Sequence, residues 1–148
     1  MIGVLIVSHG QLAAGLLDAV KVIMGAPTQT ATLALNQGDS IERLRAQILQ
    51  QIQLLNDGAG VIIVTDLYAA SPYSQTIANH TELANLKIPY KIFTGANLSM
   101  LIEIFHQRLL HINLDEMTSK ILQAGKSGVK EFFTELRHYP AERRESND

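Results

Sequence analysis

Ile2-Gly3-Val4-Leu5-Ile6-Val7-Ser8-His9-Gly10 is a short apolar run that ends abruptly in a serine, a histidine and a glycine. It reads as a hydrophobic strand, and an amphipathic helical pattern follows almost at once. Leu12, Leu16, Val20 and Ile23 recur at helical spacing and predict an apolar stripe packed on a sheet. Gly25-Ala26-Pro27 stops that helix with the usual glycine-then-proline punctuation. A strand passing directly into a helix is the opening of an α/β fold. In an open parallel sheet, ligands and chemistry gather at the strand ends, and His9 stands at one.

The rest of the chain repeats the alternation. Thr30–Leu35 reads as a second, weaker strand. Gly38-Asp39-Ser40 opens a helix whose stripe is Ile41, Leu44, Ile48, Ile52 and Leu55, with Asp39 and Glu42 spaced as a capping box. Asn56-Asp57-Gly58 is a turn, and Val61–Val64 is a β-branched run of the kind found in a central strand covered on both faces. Ser71-Pro72 marks a helix start, with Ser71 as N-cap and Pro72 at the first helical position. Pro89–Phe93 predicts a fourth strand. Leu98, Leu101, Ile102, Phe105 and Leu109 predict a helix, and another runs from about Leu114 to Ala124 with Gly125 closing it. Val129–Leu136 fits either helix spacing or a short strand, and the polar stretch 140–148 is expected to fray. The predicted architecture is a doubly wound α/β domain with a mainly parallel sheet of about four strands, order 2-1-3-4.

Composition narrows the class. The chain has 148 residues, 47 % hydrophobic and 18 % charged, which is one globular domain with a real core. A net charge of -2 without a dense Lys/Arg stripe argues against nucleic acid as the main partner. The absence of cysteine removes disulfides, thiolate metal sites and cysteine nucleophiles. The first apolar run is shorter than the roughly 20 residues a membrane span needs and has no basic segment before it, so neither a span nor a signal peptide is expected. A soluble cytoplasmic protein is the resulting expectation.

Three strand ends carry chemically capable groups: His9, then Thr65-Asp66-Leu67-Tyr68, then Thr94-Gly95-Ala96-Asn97. With order 2-1-3-4, strands one and three are neighbours and their outgoing helices lie on opposite faces, so a crevice opens between them. His9 and Asp66 then share its mouth. A carboxylate accepting from one ring nitrogen fixes the tautomer and leaves the other nitrogen as a nucleophile. The helix start at Ser71 supplies backbone N–H groups suited to a phosphoryl group or another anion. Thr65 is a second phosphate-binding candidate, with loop stabilisation as its plainer role, one it shares with Asn97. The same parts would also serve a general base or an anion sensor. His106 and His111 are separated by about 140° around a helix and share no metal-binding face. With no Walker-type loop and no dinucleotide fingerprint, no cofactor or metal is expected.

Three blocks in order, Val7-Ser8-His9-Gly10, Thr65-Asp66-Leu67-Tyr68-Ala69-Ala70-Ser71-Pro72-Tyr73 and Thr94-Gly95-Ala96-Asn97-Leu98-Ser99-Met100-Leu101, resemble the mannose-class enzyme IIA domain of the bacterial sugar phosphotransferase system (PTS). The resemblance runs from Met1 through Gly128-Val129-Lys130. It implies that His9 accepts a phosphoryl group from the histidine-containing phosphocarrier protein, oriented by Asp66, and passes it to a separate IIB component of a membrane permease. It further implies a homodimer that exchanges an antiparallel C-terminal strand, and peripheral association with the permease; with the polar stretch set aside as a flexible tail at 140–148, a single IIA-like domain is expected over residues 1–139. Three positions depart from the family pattern: Ala69-Ala70 stands where Gly-Gly is usual, and Ser99 where Pro is common. Alanine enters positive φ less cheaply than glycine, so the loop backbone is the feature this departure bears on. Two other readings of the same fold are a phosphotransferase domain serving dihydroxyacetone kinase and a non-catalytic anion-binding regulatory module.

Overall fold

The structure is a computed structural model that describes residues 1–138. The stretch 140–148, expected to fray, lies outside the described residues. Strand β1 (Gly3–His9) leads into α1 (Leu12–Met24), β2 (Thr30–Leu35), α2 (Ile41–Leu55) and β3 (Val61–Thr65). Two short helices follow, α3 (Ser71–Ile77) and α4 (His80–Asn85), then β4 (Tyr90–Phe93) and α5 (Leu98–Leu109). A 3₁₀ turn at Leu114–Glu116, α6 (Thr118–Ser127) and α7 (Phe132–His138) complete the described chain.

The four strands form one parallel sheet in the order β2-β1-β3-β4, as the pattern predicts. Val4 faces Thr30 across one side of β1 and Ile62 across the other. Alternation along β1 divides the core into two layers. Val4 and Ile6 pack with α1, α5 and α6 on one face, while Leu5 and Val7 pack with α2 and α4 on the other. Each such fully buried aliphatic side chain contributes about 1.5–3 kcal/mol. The chain passes close to itself at Gly3, where an added Cβ would lie 2.7 Å from the Leu55 Cβ. Glycine there lets the end of α2 sit directly on the start of β1.

Several local expectations are corrected. The buried face of α1 is Ala13 and Val20 with Leu16, Leu17 and Met24 beside them, and Leu12 and Ile23 point to solvent. The predicted stripe was therefore rotated toward the wrong edge. The α2 cap is Ser40, whose hydroxyl accepts from the Arg43 N–H at 3.2 Å, while Asp39 folds back to accept from the Asn36 N–H. Gly125 does not end α6, which runs to Ser127 with Gly128 as its cap. Between β3 and β4 there are two short helices where one was predicted, because Asn79 interrupts the run. Its side chain donates to Arg45 O and Gln75 O.

The Val129–Leu136 segment runs into α7 from Phe132 onward, and no antiparallel strand appears among the described residues. Glu131 explains the choice. Its carboxylate accepts from the Phe133 and Thr134 N–H groups and from the Thr134 hydroxyl, which caps a helix start. Those bonds, the Thr134 hydroxyl foremost, hold the Glu131 carboxyl below its ordinary pKa.

Candidate active site at the end of the first strand

The register that pairs Val7 with Thr65 brings the ends of β1 and β3 side by side. Helix α1 leaves β1 toward one face and α3–α4 leave β3 toward the other, so this is the switch point of the sheet. His9 and Asp66 occupy it together. The Asp66 Oδ2 accepts from the His9 backbone N–H at 2.9 Å and lies 2.8 Å from the His9 Nδ1. Its other oxygen accepts from the Leu67 N–H at 2.9 Å.

Burial is the largest influence on Asp66 and works to raise its pKa. The bonds from the His9 backbone and ring, the His9 charge and the Leu67 N–H together outweigh it and hold the carboxyl below its ordinary value. Asp66 is therefore an anion, and an ionised carboxylate can only accept. The proton of a neutral His9 ring must then sit on Nδ1, which leaves the lone pair on Nε2. Among the described residues Nε2 has no hydrogen-bond partner. The His9 side chain is 49 % exposed and that of Asp66 10 %, so the ring reaches solvent while its support stays inside.

Two neighbours complete the support of His9. Ser8 is fully buried, and its hydroxyl accepts from the Ala13 N–H at 2.7 Å and donates to the His9 carbonyl at 3.2 Å. It ties the end of β1 to the start of α1, whose cap position, Gln11, offers no side-chain bond of its own. Sequence reasoning passed over Ser8. The alternation Val4, Ile6, Ser8 could have found it, since that face meets α1. Gly10 follows with φ +53 and donates to the Leu35 carbonyl at 2.9 Å, turning the chain sharply off the strand.

The remaining candidates are placed less centrally. Thr65 is fully buried, and its hydroxyl donates to the Phe93 carbonyl at 3.4 Å, which points it into the sheet and away from the crevice surface. Its carbonyl accepts from the Ala96 N–H at 3.0 Å, fixing the loop after β4. Ser71 is the first residue of α3 and not its cap; Ala70 takes that position and no side chain bonds there. The cause lies one residue earlier, where Ala69 adopts φ +64 and brings the chain round before Ser71 is reached. The Ser71 side chain is half-buried, with no hydrogen-bond partner among the described residues. Asn97 caps α5 by accepting from the Met100 N–H and donates to the Gly125 carbonyl, tying α5 to α6. Leu67 and Tyr68 are strongly exposed, and the Tyr68 and Tyr73 rings stand 5.2 Å apart.

Similar architectures are known. The crystal structure of phosphotransferase system component EIIA from Streptococcus agalactiae superposes with a TM-score of 0.81 at 25 % identity, covering 90 % of this chain and 99 % of that one. The PTS IIA protein associated with the fucose utilization operon of Streptococcus pneumoniae gives 0.76 at 28 % identity, over 90 % and 95 % of the two chains. The PTS system mannose-specific EIIAB component of Escherichia coli (strain K12) is 25 % identical over 129 residues, which is 87 % of this chain. The chain spans 39 % of that relative's length. The family profile described as PTS system fructose IIA component matches residues 3–122, a span that takes in His9, Asp66 and Ser71. This chain belongs to the mannose-class IIA family of the sugar phosphotransferase system.

Proposed function

We propose that the protein is a phosphohistidine carrier acting in the cytoplasm, which accepts a phosphoryl group on His9 and passes it on for sugar uptake. The observation that carries this reading is the bond between the His9 Nδ1 and an ionised, nearly buried Asp66, with Nε2 left bare and facing out. The Nε2 lone pair attacks phosphorus in line as the donor's own N–P bond breaks, and the donor nitrogen recovers its lone pair. His9 gains the phosphoryl group without losing the Nδ1 proton, and Asp66 balances the positive character that develops on the ring. Such a transfer is accelerated mainly by positioning and by charge stabilisation. The helix start at Ser71 is the proposed cradle for the phosphoryl oxygens. The burial of Thr65 leaves it the loop-holding role instead.

The donor is the histidine-containing phosphocarrier protein and the acceptor a IIB component. Both are proteins, so recognition falls to the surface around the crevice, where Leu67, Tyr68 and Tyr73 form an apolar rim suited to docking. The protein is further proposed to be a homodimer, a reading supported by the bare apolar face of its C-terminal segment. Incubation with the phosphorylated carrier protein is expected to add one acid-labile, base-stable phosphoryl group per chain, detected by intact mass. A His9→Ala variant is expected to take up none. Uptake by that variant, or no uptake by the unaltered protein, would overturn the reading, and saturable anion binding without a covalent product would favour a regulatory module.

A further inference from the structure

At the end of the sheet opposite His9, two concavities of about 400 Å³ and about 270 Å³ meet around Arg108 of α5. Met1, Arg108 and His111 line both. Ile2, Ile112 and Leu114 wall the larger, and neither carries an acidic side chain. Arg108 is half-buried there. One nitrogen donates to the Ile2 carbonyl at 3.3 Å, and the guanidinium carbon lies 4.9 Å from the centre of the Phe105 ring. Among the described residues no carboxylate lies within ion-pair distance of it.

A guanidinium carries five N–H donors in a rigid fork. Only one of these has a protein acceptor among the described residues, although the group is held against apolar walls. Loss of water alone pushes its pKa down. A half-buried cation with most of its donors unmatched by protein groups is a ready partner for an anion. The volume and the mostly apolar lining, with Arg108, His111 and Asn113 as the few polar side chains of the larger concavity, are those of a small-molecule pocket.

We propose that this pocket binds a small monocarboxylate with an apolar tail, the carboxylate forked onto Arg108 and the tail lying along Ile2, Ile112 and Leu114. The Met1 ammonium at the edge of the lining is already paired with Asp57, so a single negative charge matches the guanidinium that has no carboxylate partner among the described residues. A phosphoryl dianion would leave one charge unbalanced beside hydrocarbon, which disfavours it. The pocket lies a full strand length from His9, so its ligand takes no part in the chemistry there. This inference is independent of the phosphotransfer reading.

Calorimetric titration of the full-length chain with octanoate, octanol and octyl phosphate tests it. Octanoate is expected to bind saturably at one site per chain, with the other two weaker by about tenfold or more, the difference a charge-assisted hydrogen bond makes. Arg108→Met is expected to lose octanoate affinity by a similar factor. Ala59→Leu, which narrows the larger concavity and leaves Arg108 intact, is expected to weaken binding too, and it decides the matter should the Arg108 variant fold poorly. Equal affinity for octanol, tighter binding of octyl phosphate, or unchanged binding by both variants would overturn the proposal.

Discussion

At position 66 a single carboxylate oxygen accepts from both the backbone and the ring of residue 9, so the same group sets where the histidine sits and which nitrogen it presents. An Asn at this position keeps the shape but supplies no charge and offers one acceptor oxygen in place of two. Asp66→Asn is expected to slow phosphoryl transfer to His9 by about 100-fold, in the range of a misplaced reacting group. Rapid-quench labelling with the phosphorylated carrier measures this, and an unchanged rate would remove Asp66 from the mechanism. The substitution also carries a pH signature. Because the folded-state pKa of Asp66 is depressed, its stabilising contribution is present above the unfolded value of about 3.9 and is lost as pH falls through the folded value. Urea denaturation should show the unaltered protein ahead of Asp66→Asn at neutral pH, with the gap closing below about pH 4. A gap that stays constant through that range would contradict the assignment. The His9–Asp66 pair was legible from sequence because both residues directly follow strands that the 2-1-3-4 order makes adjacent. Ser8 was legible only through the strand alternation that puts it on the face of Val4 and Ile6, since nothing in the sequence shows that its hydroxyl bonds the start of α1.

Among the elements, the loop from Asp66 to Ala70 is one that holds a non-glycine residue at positive φ. Ala69 holds φ +64, a conformation that costs a side-chain-bearing residue about 1–2 kcal/mol. The Ser74 hydroxyl donates to the Ala69 carbonyl at 3.3 Å and the Ala70 N–H to the Leu67 carbonyl at 3.3 Å, which keeps the turn closed. Ala69→Gly is expected to relieve that strain and raise stability by about 0.5–1 kcal/mol net of glycine's greater freedom in the unfolded chain. Thermal melting and urea titration measure it, and a loss of stability would mean the positive φ is not kept in solution. The departure from Gly-Gly at this point was visible in the sequence, but its effect on the helix start was not. The positive φ at Ala69 moves the cap back to Ala70, and cap positions depend on backbone angles that residue type only biases. The same reason explains why Ser40, and not Asp39, caps α2. Strands were easier to place, because an apolar run buried on both faces has few alternatives.

For the whole molecule, the main unbalanced feature is the C-terminal segment. Val129, Phe132 and Phe133 are exposed, with the two rings 5.2 Å apart and nothing from the rest of the described chain covering them. Sedimentation of the full-length chain is expected to give twice the chain mass, and Phe132→Ser combined with Phe133→Ser is expected to shift it toward the monomer while leaving the fold intact. A monomer at micromolar concentration would contradict the proposed dimer. The segment's conformation was ambiguous in sequence because its apolar spacing suits two periods, and the Glu131 carboxylate is what selects the helix. Strand β1, by contrast, is locked between two partners, Val7 facing Leu33 on one side and Thr65 on the other. Swapping one aliphatic for another within it disturbs packing only modestly. Losing or gaining a single residue would turn every later side chain to the opposite layer and carry the imidazole away from its carboxylate. Chain length between Gly3 and His9, more than the identity of the residues in between, is what inheritance has to preserve.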